Sequence, residues 1–546
     1  MGTVVFLQFY RLDLGEIQSH DEARYILRAE ACLRFGAWMD QTQYAIGGLF
    51  SSSHPPLIVW MMAIVQFLFG TSVFAVRLVS PIGAVVALHF FYKLSGKLFS
   101  RETALYATIA LGAAQHFLLY SHHGQFDIPM FAFIVSASYY AIRSFEEGNM
   151  RLACIAGMLF GCVLLSKTIQ GIYLLPFLCT LPYIYRTKRR YIILAVMLGI
   201  CLAVSLPWHL FMIFRHPDFF NINTGLISAL KTNSYAEGHT ITHWWYYLNV
   251  TIVNFPFIVL GIVAIVPLFK RLKKPAGTYN RMCLISAIWF VGMVVSLSDF
   301  STRMLHFSLF LLLPTSLFLC FCLEEFLRFR DKPKIIAGCI LLISALGWSL
   351  SELIRMSFKE HTFHPIPINA PLLLLSVGFA LIIFLLLFKY GSSSPPRIIM
   401  LIAAIFLITT NIYRWGSRRN ETFIDGAEDV GKVLFHTSGI HTLIAYHIGG
   451  SYQYMLPQLN YYTDCWLAGW DSTRTGTTNT WSKLDSLISV NQVPRSDASV
   501  IYNSWDAFYT PKQDEKELLM RINQGLSARY AKVLHTKKYQ LYWEPR

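Results

Sequence analysis

Carboxylates, cations and histidines recur along this 546-residue chain where helical patterns begin or end. Ser19-His20-Asp21-Glu22 opens a pattern running to about Arg34, and Ser19 with Glu22 has capping-box spacing. The two acids also suit the positive end of a helix dipole. Asp21, Arg24 and Arg28, three and seven apart, share one helical face. A carboxylate beside cations can hold an anionic substrate next to a base. Ser53-His54-Pro55-Pro56 then breaks helix and brings a histidine to the same part of the chain. Asp127, in Gln125-Phe126-Asp127-Ile128-Pro129, stands at the start of an apolar run. It reads either as a helix cap with proline in the first turn or as a functional acid, because charge near a bilayer costs about 2.5–3.5 kcal/mol. Lys167, in Ser166-Lys167-Thr168, lies between two apolar runs and can snorkel or serve a site. Lys231 and His239 precede His243-Trp244-Trp245-Tyr246-Tyr247, whose aromatics also suit an interfacial belt. Arg303 and His306, in Ser301-Thr302-Arg303-Met304-Leu305-His306, stand at another helix entrance.

Positioning such residues falls to membrane-spanning helices. The chain is 54% hydrophobic and 14% charged, against roughly 25% charged in soluble domains. Ile192 to Phe214, Val250 to Phe269, Met304 to Leu323, Pro371 to Phe388 and Ile398 to Ile412 carry almost no charge. A helix crosses the roughly 30 Å hydrocarbon layer with about 20 such residues. Their low helical amphipathicity fits lipid or bundle on all sides.

Basic clusters separate the runs: Lys93, Lys97 and Arg101; Arg186, Lys188, Arg189 and Arg190; Lys270, Arg271, Lys273 and Lys274; Arg328, Arg330, Lys332 and Lys334. The positive-inside rule makes these loops cytoplasmic. The net charge of +15 is then a topology signal, and nucleic acid need not be invoked. Parity is satisfied if Pro55 to Gly70 lies in the outer leaflet. Spans are then expected near 77–97, 102–122, 127–144, 152–166, 168–185, 191–214, 247–270, 281–298, 304–323, 335–352, 371–389 and 397–413. One more at the N-terminus makes about thirteen. This places 13–54, 121–127, 215–245, 298–303 and the C-terminal region outside. Met1 to Tyr10 reaches only about 15 Å as a helix, so a first span truncated at Met1 is expected.

From Arg414 the composition changes. Asp425 to Phe435 and Lys512 to Gly525 read as helices, Leu443 to His447 and Val500 to Asn503 as strands, and Tyr530 to Trp543 as a closing strand pair. The expected organisation is a membrane domain over 1–413, with an outer loop over 13–76, and a small soluble α/β domain over 414–546. Most cysteines, such as Cys154, Cys162, Cys201 and Cys339, lie in apolar runs, where they act as small apolar residues. Only Cys32 and Cys465 fall outside, and the cysteines are not expected to carry chemistry.

The order Asp21-Glu22-Ala23-Arg24-Tyr25, His54-Pro55-Pro56-Leu57 with Trp60 and Leu68-Phe69-Gly70, then Phe74-Ala75-Val76-Arg77-Leu78, resembles the GT-C glycosyltransferases. The resemblance is to their bacterial branch of protein O-mannosyltransferase-like enzymes and lipid A aminoarabinose transferases. It continues through Asp127, Leu165-Ser166-Lys167, Pro207-Trp208, His239, Trp244 to Tyr247 and Arg303 to Phe307, over about the first 320 residues. It implies about thirteen transmembrane helices with interfacial helices in the first outer loop. It also implies a polyprenyl-phosphate-sugar donor, a glycolipid, glycan or protein acceptor, and a site on the periplasmic face of a bacterial inner membrane.

In that family the match to Asp21 is the catalytic base, with the match to Asp127 nearby. Arg24 and Arg303 would hold the lipid phosphate, and Lys231 is a further candidate. Glu22, His54, Lys167, His239 and His306 complete the expected substrate-binding set. The aminoarabinose transferases carry Glu-Lys where this chain has Ser53-His54, and Lys-Leu-Pro where it has Arg303-Met304-Leu305, so a phosphate-binding lysine and a potential metal ligand are replaced. A divalent cation is left open, and a monomer without nucleic acid is expected. The competing reading is a polyprenyl-linked lipid flippase or transporter, which usually places charges at mid-membrane in two related halves. Here the charges gather at the rims of the spans and no halves match.

Overall fold

A computed structural model describes residues 1–17, 21–45, 48–232, 245–262, 278–299, 305–328, 340, 426–437, 443–448, 498–503, 513–536 and 539–544. Among these, four helices are long and apolar enough to cross a membrane: Val73–Leu98, Asp127–Glu147, Arg190–Arg215 and Asn280–Ser298. Shorter apolar helices run Leu57–Phe69, Met150–Leu164 and Leu175–Ile184. The spans expected at 335–352, 371–389 and 397–413 lie outside the described residues, apart from position 340.

The bundle core forms by sequential packing. Helix Val79–Leu98 packs on Asp127–Glu147, which packs on Met150–Leu164, which packs on Arg190–Arg215. Small residues permit the last approach. A Cβ at Gly157 would strike the Met197 carbonyl, and one at Gly161 would fall on Val204. A small-xxx-small stripe is how helices in lipid gain close backbone packing without a hydrophobic driving force.

Two expected continuous spans are broken. The stretch expected at 102–122 is two helices, Arg101–Ala113 and Gln115–Ser121, joined by extended Ala114. The break frees backbone groups inside the bundle, and Asn254 Oδ1 accepts from the His116 N–H at 2.9 Å. Side chains re-satisfying freed backbone is the usual condition for a break at such depth. The stretch expected at 168–185 likewise divides into Thr168–Ile172 and Leu175–Ile184. Leu57–Phe69 has 13 residues, about 20 Å, too short to cross.

The two ends of the bundle differ chemically. At one end Ser80 Oγ donates to the carbonyls of His123 and Gln125 beside Asp127. At the other end Lys97 pairs with Glu146 at 2.6 Å. Glu324 there accepts from the Ser100 backbone and hydroxyl and from the Thr103 hydroxyl. The basic cluster at Lys93–Arg101 thus sits at the end remote from Asp127.

Towards the C-terminus, four strands form one sheet in the order β1-β2-β4-β3: β1 (Leu443–Ile448), β2 (Ala498–Asn503), β3 (Lys532–His535) and β4 (Tyr539–Trp543). The β1–β2 pair is parallel, and β2–β4 and β3–β4 are antiparallel. Helix Ala427–His436 buries Ala427, Val430 and Leu434 against Ala498, Val500, Tyr539 and Leu541. Helix Gln513–Arg529 is tied to β4 by the Tyr542 hydroxyl donating to Asn523 Oδ1 at 2.6 Å.

Replacing Gly161 by leucine should force the Met150–Leu164 and Arg190–Arg215 helices apart and cost about 1–3 kcal/mol. Thermal unfolding in detergent reads this, and Gly199→Ala, with open space around its Cβ, should leave the midpoint nearly unchanged.

Candidate active site

The first-loop helix Asp21–Phe35 is anchored by two buried arginines. Arg28 donates to the Ser51 carbonyl at 3.0 Å, to Gln41 Oε1 at 3.0 Å and to the His54 carbonyl at 2.8 Å. That fastens the turn before Leu57–Phe69 to the helix. Arg77 does the same for the segment before Asp21. Its Nε and Nη2 donate to the two Glu22 oxygens at 2.8 and 3.1 Å. Its Nη1 reaches the carbonyls of Leu12 and Leu14, and Nη2 that of Glu16 at 2.7 Å. A guanidinium has five N–H donors, and these five contacts match them. Glu22 Oε1 also accepts from the Gly124 N–H at 2.7 Å, which fixes the loop leading to Asp127.

Asp127 and Lys167 meet as a buried pair at 2.8 Å, with side-chain exposures of 3% and 7%. Lys167 therefore does not snorkel to solvent. Tyr25 stacks on Phe126 with centroids 3.9 Å apart, which sets Asp127 beside the Asp21–Phe35 helix. Burial raises the Tyr25 hydroxyl well above its ordinary value, and the charges of Asp21 and Asp127 raise it further. Both carboxylates thus act on one buried ring. His54 faces Tyr25 and Phe126, with centroids 6.3 and 6.4 Å away. Burial, then Lys167 and Arg28, push its imidazole down to about 3, so it is neutral at physiological pH. A neutral imidazole can reach a phosphate only through one N–H, not as a cation.

Asp21, Arg24, His54, Asp127 and Lys167 are thus brought to one end of the bundle. Asp21 and Arg24 are half-buried and keep access to solvent. Glu22 is fully buried on Arg77 and Gly124. Lys231 lies in helix Phe219–Thr232 and His306 in the 3-10 helix Leu305–Leu311; their side chains are outside the described set. Ser308 ties that 3-10 segment to His116 Nδ1 at 3.0 Å. His239 and Arg303 lie outside the described residues, as do Ser19 and Cys465. Among the described residues no three His, Cys, Asp or Glu side chains converge as a metal ion would need.

The model of the dolichyl-phosphate-mannose-protein mannosyltransferase family matches residues 53–211. An undecaprenyl phosphate-alpha-4-amino-4-deoxy-L-arabinose arabinosyl transferase of Pseudomonas savastanoi is 26% identical over 382 residues, 67% of this chain and 68% of the relative. One from Pseudomonas fluorescens is 26% identical over 339 residues, 58% of this chain and 55% of the relative. The crystal structure of ArnT from Cupriavidus metallidurans bound to undecaprenyl phosphate superposes with a TM-score of 0.69 at 14% identity, covering 99% of this chain and 96% of that one. That likeness establishes the fold. In sequence and in fold the chain is similar to the aminoarabinose transferases of the GT-C type.

Several residues at the site end carry no sequence signal of their own. Asp40 Oδ2 lies 2.8 Å from His216 Nε2, and Thr42 Oγ1 lies 2.6 Å from Ser52 Oγ. Burial acts to raise the Asp40 carboxyl, but hydrogen bonds from Thr42 and His216 outweigh it and hold the carboxyl below its usual value. The indole N–H groups of Trp60 and Trp208 donate to the Trp38 and Met39 carbonyls. Together these close the loop between the Asp21–Phe35 and Leu57–Phe69 helices against the end of Arg190–Arg215. Arg77 stood in the family-like order of residues without a role, and its five acceptors explain its place.

Breaking a buried ion pair on one side typically costs about 3–5 kcal/mol, because the remaining charge is uncompensated. Lys167→Met alone should lower the unfolding midpoint sharply. Lys167→Met with Asp127→Leu should recover much of the loss, measured by thermal unfolding in detergent.

Proposed function

We propose that this multi-pass membrane protein transfers a sugar from a polyprenyl-phosphate-linked donor to a lipid, glycan or protein acceptor, with inversion at the anomeric carbon. The carrying observation is the convergence of half-buried Asp21 with the Asp127–Lys167 pair around Tyr25, at the bundle end remote from the Lys93–Arg101 cluster. The donor class is supported by relatives named as undecaprenyl phosphate-aminoarabinose arabinosyl transferases and by the undecaprenyl phosphate bound in the structure of like fold. Aminoarabinose as sugar and lipid A as acceptor are the first pair to test.

In the proposed step the acceptor oxygen attacks the sugar carbon as its bond to phosphate breaks. The bonding pair leaves on the polyprenyl phosphate, and the hydroxyl proton passes to Asp21. Phosphate is a competent leaving group and needs no acid to protonate it; cations neutralise the charge that grows on it. Arg24, one helical turn after Asp21, takes that part, with Arg303 as second cation. An ordinary aspartate is a weak base, so its help comes late, as the oxocarbenium-like centre acidifies the incoming hydroxyl. Asp127 is buried against Lys167, whereas Asp21 is half-buried, and Asp21 is taken as the base.

The positive-inside rule puts the Lys93–Arg101 end in the cytoplasm, and so the site on the periplasmic face of a bacterial inner membrane. Thirteen spans over 1–413, an outer loop over 13–76 and a soluble outer domain over 414–546 complete this arrangement. The sheet and its helices would then cover the site or select the acceptor, and a monomer is sufficient for the reaction.

Asp21→Asn should lower transfer of radiolabelled sugar to a membrane extract of the native host by about a hundredfold or more, with binding of the polyprenyl lipid retained. Equal activity would reduce Asp21 to a helix cap and shift the base to Asp127. Retained anomeric configuration in the product would contradict a single displacement.

A further inference from the structure

Among the described residues, a buried carboxylate joins the C-terminal sheet unit to the first outer loop. Glu16, 3% exposed, accepts from the Gly426 N–H at 3.1 and 3.2 Å on its two oxygens and from the Glu428 N–H at 3.1 Å. These donors open helix Ala427–His436, where free N–H groups and the dipole favour a carboxylate. Gly426 has φ +91°, and a Cβ on it would fall on Thr536. Thr536 in turn donates its N–H to the Tyr539 carbonyl at 2.8 Å, at the β3–β4 turn. The strand pair therefore sets where the donors for Glu16 stand.

On its other side Glu16 offers its carbonyl to Arg77 Nη2 at 2.7 Å. Arg77 holds Glu22, the chain neighbour of Asp21, and Glu22 holds Gly124, three residues before Asp127. A Cβ at Gly124 would press on the Val76 carbonyl at 3.1 Å and on Glu22 Cγ at 3.4 Å, so this junction has little slack. A continuous set of buried contacts runs from the β3–β4 turn to the backbone beneath both carboxylates.

We infer that Glu16 is a positioning residue through which the C-terminal unit sets the placement of Asp21 and Asp127 for transfer. The inference rests on the reading that these two carboxylates serve the reaction. Withdrawing the C-terminal unit would loosen the start of the Asp21–Phe35 helix and the loop before Asp127 together, although neither touches the sheet through Glu16's own bonds.

The test compares full-length wild type, Glu16→Ala, Glu16→Gln and Glu428→Pro for steady-state transfer and for amide hydrogen exchange over residues 11–27 and 120–128. Glu16→Ala should lower kcat about 10- to 100-fold, leave KM for the donor lipid within about twofold, and speed exchange in both segments. Glu16→Gln, keeping one acceptor oxygen, should fall between. Glu428→Pro removes one of the N–H donors at a first-turn position where helices tolerate proline, so adding it to Glu16→Ala should cost little more than Glu16→Ala alone. Unchanged kcat in folded Glu16→Ala overturns the inference. So does a loss that follows only the folded fraction, without faster exchange at 120–128. Asp21→Asn, run alongside, separates the two claims. If it retains full activity the catalytic reading fails, while the exchange data still decide whether Glu16 couples the segments.

Discussion

A guanidinium buried beneath the surface is tolerated only if its donors are met. At Arg77, 2% exposed, five bonds to Glu22 and to the carbonyls of Leu12, Leu14 and Glu16 meet that condition. Leaving a buried charge uncompensated costs several kcal/mol, so these acceptors cannot drift independently. The segment before Asp21, the start of the Asp21–Phe35 helix and, through Glu22, the loop at Gly124 are held as one body. Arg28 extends that body to Gln41, Ser51 and His54. Asp21 and Arg24 stand half-buried on the helix held this way.

The two carboxylates are made unequal by their surroundings. Asp127 is buried against Lys167 at 2.8 Å and forms a neutral pair in a region of low polarity. Asp21 is half-buried at a helix start, with Arg24 one turn away. The first arrangement holds geometry; the second is the one proposed to take a proton. His54 faces Tyr25 and Phe126 as a neutral ring, a hydrogen-bonding group rather than a cation.

Apolar runs and basic loops were enough to read the helices at 127–147, 190–215 and 280–298, because lipid-facing spans carry their signal in local composition. The apolar run after Pro55-Pro56 was legible as a helix, but parity rather than composition argued against its crossing, and its 13 residues are too few to cross. The break at Ala114 was not, since the group that satisfies it, Asn254, lies 138 residues from His116. Helical spacing grouped Asp21, Arg24 and Arg28 on one face, but Arg28 is fully buried and turned to the loop carbonyls, while Asp21 and Arg24 are half-buried. Lys167 could snorkel or serve a site by its place in the sequence, and only its pairing with Asp127, 40 residues away, excludes the first. Glu16 and Asp40 meet partners 410 and 176 residues distant, so no local pattern announces either.

Whether the sugar itself changes partner separates a transferase from a lipid transporter. The direct measurement reconstitutes purified wild-type protein in liposomes with a polyprenyl-phosphate sugar labelled in the sugar, and adds acceptor extracted from native-host membranes. The products are then resolved. Label on the acceptor, with one polyprenyl phosphate released for each sugar moved, is the predicted result. Label still on the polyprenyl lipid but transferred to the opposite leaflet would contradict it and make the protein a lipid transporter.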